Sequence, residues 1–102
     1  MGKKRSIIQS DSPDYCFFCG KPYPEEHHIY FGNKNRRISD REGFIVHLCH
    51  ECHKGTDGVH GMYGHLKDIY LKKTCQLAYE ETHTRQEFRA LIGCNYLEED
   101  ED

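Results

Sequence analysis

The chain has 102 residues, 36% of them hydrophobic, with no Trp and a formal net charge of −3. That length suits one domain, and so modest an apolar fraction needs some staple besides burial to offset chain entropy. No apolar run approaches the roughly 18 residues of a membrane helix, and the first nine residues are basic with Ile7 and Ile8 as their one apolar pair, unlike a secretory leader.

A reducing, cytoplasmic setting is therefore expected, in which six cysteines do not form disulfides. Five of the seventeen acids lie in the terminal run 98–102, which leaves residues 1–97 mildly basic, with fourteen basic groups against twelve acidic ones.

Residues 1–14 are polar and aperiodic and are expected as a flexible arm. Residues 15–97 are expected as one domain, and 98–102 as a disordered acidic tail. Within the domain the sequence predicts a turn over 16–22, a short strand over 29–31, a loop over 32–43 and a second strand over 44–48. The two strands would pair as a hairpin. A helical turn starts near Cys52 and is stopped by Gly55, Gly58 and Gly61. A helix over about 64–82 carries Leu66, Ile69, Tyr70 and Leu77 at helical spacing, so that face is expected to cover the Cys/His region. Thr84 and Glu87 form a capping box for a shorter helix bearing Phe88, Leu91 and Ile92, with Gly93 as its stop. The fold class is α+β.

The strongest chemical signal is a pair of CxxC units, Cys16/Cys19 and Cys49/Cys52, separated by 29 residues. A two-residue gap lets both thiolates of a unit turn toward one ion, which is the spacing of a four-cysteine zinc site. The separation exceeds that of a compact zinc ribbon, so function is expected in the inserted segment. Cys75 and Cys94 stand alone and are expected as small buried apolar side chains.

That inserted segment opens with Glu25-Glu26-His27-His28-Ile29, and His53 directly follows the second CxxC. Neighbouring strand side chains face opposite ways, so His27 and His28 are expected to do different work, one at a metal and one at a water. His60 lies seven residues beyond His53, where the intervening glycines favour a looped return. Lys34, Arg36, Arg37 and Arg41 fall within eight residues, with Asn35 among them.

Taken together, Cys16/Cys19, His27-His28-Ile29, the strand at 44–48 and Cys49/Cys52-His53 resemble the HNH (ββα-metal) endonucleases over about residues 16–61. The segments 28–32, 48–55 and 58–60 look most like phage recombination-enhancement nucleases. The resemblance implies a zinc-stapled, treble-clef-like core of hairpin and short helix, followed by two C-terminal helices. It also implies His27, His53 and His60 around a catalytic divalent ion (Mg, Mn or Zn), with His28 as general base. Where the family carries Asn to orient that base, this chain has Phe44. The orienting group would then be a backbone carbonyl, Asn33 or Asn35. The expected activity is metal-dependent DNA cleavage, phage-encoded and linked to recombination or DNA processing, with a recombination or phage protein as a further partner. Lys34, Asn35, Arg36, Arg37 and Arg41 would bind the nucleic acid. The alternative is a non-catalytic zinc module that binds nucleic acid or protein.

Overall fold

The computed structural model describes residues 5–97, so the expected acidic tail lies outside the described residues. Two antiparallel strands, β1 (Glu25–His28) and β2 (Ile45–Leu48), pair with His27 opposite Val46 and His28 opposite Ile45. Between them runs α1 (Asn33–Glu42), and after β2 comes the one-turn α2 (His50–Lys54). The C-terminal part is α3 (His65–Tyr79) and α4 (Arg85–Ile92). This is the expected small α+β domain of hairpin, short helix and two later helices. No helix among the described residues is long and apolar enough to cross a membrane.

Two elements differ from expectation. The first strand lies at the histidine pair itself, because the pairing ends with the Ile29 N–H on the Phe44 carbonyl (2.9 Å) and the Tyr30 N–H turns to Ser39 instead. The segment expected as a loop is largely helix α1, closed by Gly43 in the left-handed conformation that a residue without Cβ adopts at little cost. Its polar composition concealed an inward-facing pair, Ile38 and Ser39. The Ser39 hydroxyl donates to the Tyr30 carbonyl (2.7 Å) and accepts from the Tyr30 N–H (3.2 Å), so a fully buried polar residue stitches α1 to the chain leaving β1.

An aromatic core joins the two halves. Tyr30 meets Phe44 and Phe88 edge-on, both at 5.4 Å between ring centroids, and Tyr79 packs on Phe44 at 5.6 Å. Such edge contacts add to the area that each ring buries. The Tyr30 hydroxyl donates to the Lys72 carbonyl at 2.6 Å and fixes α3 against the hairpin.

The face of α3 turned inward is Leu71, Cys75, Gln76 and Tyr79, whereas Leu66, Tyr70 and Leu77 are exposed. Both stripes have helical spacing, and tertiary partners select between them. Buried Gln76 is satisfied by Asn95 (2.7 Å), Glu80 (2.8 Å) and the N–H of Tyr96 (2.8 Å). Cys75 is buried as expected, but Cys94, just beyond the Gly93 stop, is exposed. The capping box at Thr84 and Glu87 is present in both directions.

The chain expected as a loose arm is packed from Ser6 to Asp11. Ser6 donates to the Ile45 carbonyl, the Ile7 N–H bonds Gly43 at 3.0 Å, and Ile8 is buried. Asp11 accepts from both the N–H and the ring of His47, at 2.8 and 2.7 Å. This segment covers the outer edge of β2, which would otherwise present unpaired backbone groups.

Truncating Phe88 to Ala is expected to cost about 3–5 kcal/mol of stability, against about 1 kcal/mol for Thr84→Ala, which removes a cap and no core. Urea denaturation of both variants checks the order; equal losses would mean that α4 does not anchor the aromatic cluster.

Candidate metal centres and catalytic cleft

The four cysteines of the CxxC units converge, with their sulfurs all within 4.8 Å of one another and the Cys19–Cys49 pair at 3.5 Å. The two units are built alike. Each first sulfur lies near the N–H three residues on, Cys19 N to Cys16 Sγ at 3.4 Å and Cys52 N to Cys49 Sγ at 3.5 Å. All six cysteines are unpaired thiols. A tetrahedral zinc with bonds near 2.3 Å sets its sulfurs about 3.8 Å apart, which these positions reach with little movement. Burial raises the Cys16 thiol, yet the N–H groups of Cys49, Cys19 and Phe18 outweigh it and hold that thiol down at about 6. Burial and the neighbouring sulfurs push Cys52 well up, and burial raises Cys49. One thiolate is thus favoured and the next disfavoured, the frustration that a cation at the centre removes.

A second cluster lies in a cleft of about 690 Å³. His27, His53 and His60 bring one donor atom each within 4.8 Å of the others, with ring centroids 5.0–5.1 Å apart. Each ring arrives from a different element. His27 is on the inward face of β1, and His53 is one residue past the second CxxC on α2. His60 is returned by a glycine loop, where its N–H bonds the His53 carbonyl (3.1 Å) and the Val59 N–H bonds the Cys52 carbonyl (2.8 Å). That return passes backbone against backbone: a Cβ on Gly64 would lie 1.6 Å from the Gly58 carbonyl oxygen.

His27 is 1% exposed, and its Nε2 has no hydrogen-bond partner. Burial, with the neighbouring His53, His60, His28 and Lys72, pushes its pKa down to about 3, so the ring is neutral and keeps a lone pair. Burial and His53 also lower His60, against an opposing pull from Asp68. A buried imidazole nitrogen with no partner costs free energy in an apolar setting, and three imidazoles are a donor set that suits a borderline divalent ion. The residues therefore fit a second metal.

Sequence reasoning missed the groups that hold this cluster. Glu25 accepts from His53 Nδ1 at 2.7 Å and from His50 Nδ1 at 3.1 Å, which leaves His53 Nε2 for the centre. Those bonds, His53 first, hold the Glu25 carboxyl below its ordinary range. The carboxylate behind a ligating imidazole is a recurrent device of metal sites, and Glu25 stood in plain sight two residues before His27. On the opposite face of β1, His28 Nε2 lies 3.3 Å from Asp40 Oδ1. Asp40, rather than Asn33 or Asn35, is the side chain at His28; with α1 expected as a loop, nothing in the sequence pointed to it. Phe44, at the position of the family's Asn, is fully buried in the aromatic core.

Of the basic residues, Arg36 and Arg37 line the cleft, joined by Lys54. Lys34 and Arg41 border a shallower groove beside Arg37, Arg41 pairs with Glu42 (3.0 Å), and Asn35 lines neither hollow. Compared with known proteins, the chain matches no family model, no curated sequence and no solved structure. What the site can do rests on its own geometry.

Two variants separate the centres. Cys19→Ala is expected to lose cooperative unfolding altogether, since structural zinc supplies folding free energy; a zinc-free variant that still melts cooperatively would sink the stapling argument. Glu25→Ala is expected to keep that zinc while binding a second divalent ion about 10–100-fold more weakly. Competition with a chelator measures both affinities, and an unchanged second constant would remove Glu25 from the site.

Proposed function

We propose that this chain is a metal-dependent DNA endonuclease of the HNH type, with His28 as general base. The observation that carries the reading is the convergence of three imidazoles, one with an unmet buried nitrogen, in a cleft that also holds His28, Arg36 and Arg37.

Cys16, Cys19, Cys49 and Cys52 would hold a structural zinc. His27, His53 and His60 would hold the second ion, which when bound supplies Lewis-acid stabilisation of the phosphoryl and leaving oxygens. The chain's own groups do the rest. His28 is adjacent to the triad in sequence but faces the other way from His27, so it stays free for proton work while its neighbour binds. With Nε2–H directed at Asp40, Nδ1 carries the lone pair that takes a proton from the attacking water. Arg36 and Arg37 hold the flanking phosphates. The N-terminus of α1 opens at Gly32 and Asn33 on the same cleft, with no acid in its first turn, so its dipole also favours an anion there.

Nicking of supercoiled plasmid with Mg²⁺ or Mn²⁺ tests the assignment. His28→Ala should lower the rate by roughly 10²–10⁴. Removing one phosphate-binding guanidinium, in Arg36→Gln or in Arg37→Gln, should flatten the salt dependence of DNA affinity by about 0.9 in log–log slope. Full activity in His28→Ala would rule out the base. One tightly held zinc, no second divalent ion and no cleavage would leave a non-catalytic zinc module.

A further inference from the structure

We propose that Glu26, His28 and Asp40 form a third, weaker divalent-cation site, and that zinc bound there switches the enzyme off. The switching role rests on the reading of His28 as the base. The site itself does not.

Glu26 and His28 are two residues apart on β1, so the strand's alternation sets them on one face, opposite His27. Asp40 reaches that face from α1. One donor atom from each of the three lies within 4.8 Å of the other two, and all three residues are half-buried. His28 Nε2 and Asp40 Oδ1 are already 3.3 Å apart. Two ligands on a tetrahedral zinc with bonds near 2.1 Å stand about 3.4 Å apart, so this pair already has the spacing of a coordination edge.

Charge favours the same occupant. Two carboxylates and an imidazole with donor atoms gathered at one point offer a divalent ion both negative charge and a partly desolvated setting in which it counts for more. A set of one imidazole and two carboxylates binds zinc ahead of manganese, following the general order of divalent affinities, and hard, reluctantly dehydrated magnesium prefers oxygen ligands alone. Arg36 and Arg37 oppose any cation in this cleft, and of its two clusters only the triad holds a buried nitrogen with no partner, so this site ranks below the thiolate centre and the triad.

Occupation would remove the base by simple valence. A neutral imidazole has one N–H and one lone pair. Once the Nε2 lone pair is given to zinc, the proton resides on Nδ1, and neither nitrogen can accept another. Zinc in excess of the two stronger sites would thus inhibit an enzyme that needs a divalent ion to work.

The test has a binding arm and an activity arm. Zn²⁺ is titrated into zinc-loaded protein against a competing chelator, with bound metal counted by elemental analysis. The expected result is three equivalents per wild-type chain, with the weakest lost in Glu26→Gln and in Asp40→Asn while the other two remain; thermal melts confirm that both variants are folded. A wild type that stops at two equivalents overturns the proposal, whatever a nuclease assay returns. In the second arm, Mg²⁺-supported plasmid nicking is measured as Zn²⁺ rises. The inhibition midpoint is expected to move at least tenfold upward in Glu26→Gln, with each protein scaled to its own zinc-free rate. Zinc acting at the triad alone would give both proteins the same midpoint and overturn the switch. Three bound equivalents with no nicking in any metal would keep the site and refute the switch together with the nuclease reading.

Discussion

Everything in the hairpin half of the molecule is referred to the point where four sulfurs meet. Cys16 and Cys19 come from the turn before β1, and Cys49 and Cys52 from the junction of β2 and α2, so one clamp closes both ends of the intervening segment. The Phe17 N–H bonding the His47 carbonyl at 2.8 Å runs alongside it. A four-residue strand pair has little stability of its own. Fixed at its open end and capped by Ser39 and Tyr30 at the other, it becomes a rigid support. His53 is one residue past Cys52, so whatever holds the sulfurs also sets the position of the first imidazole beyond them.

The second constraint is the burial of His27. An aliphatic residue at that position would serve a small core better, since an imidazole nitrogen without a partner is a standing cost. Its neighbours are arranged around the same point. Glu25 turns His53, the glycine loop delivers His60, and Phe31 leans on both His27 (6.1 Å) and His60 (5.1 Å). Lys72 lies 4.4 Å over the Phe31 ring and is itself held by Asp68 at 2.9 Å, so α3 closes the far side of the cluster through a charged pair. Helix α3 therefore does more than cover a core: it backs the cleft.

Much of this arrangement could be read from residue types and spacing. The CxxC units, the His27/His28 alternation, the looped return of His60 and the Thr84 capping box each rest on local geometry, and local geometry survives into the fold. What could not be read depended on tertiary choice. In α3, two stripes of equal period competed, and the inward one, with fewer aliphatic residues, sets Tyr79 on the aromatic core and Gln76 in buried hydrogen bonds. Helix α1 hid behind a charged sequence whose inward residues are one Ile and one Ser. Because α1 went unseen, so did Asp40, the group that faces His28. Glu25 was missed for another reason: the alternation that sets it on the face of His27 fits an ordinary surface carboxylate equally well.

The pleat of β1 sorts four consecutive polar residues into two pairs with different surroundings, Glu25 and His27 on one side, Glu26 and His28 on the other. Such sorting has no intermediate setting. Slippage by a single position would exchange the two histidines wholesale, turning His27 outward and His28 inward, with both carboxylates following. A slip of two would keep the faces but carry Glu25 or Ile29 to the place of His27, so a single register assembles both clusters.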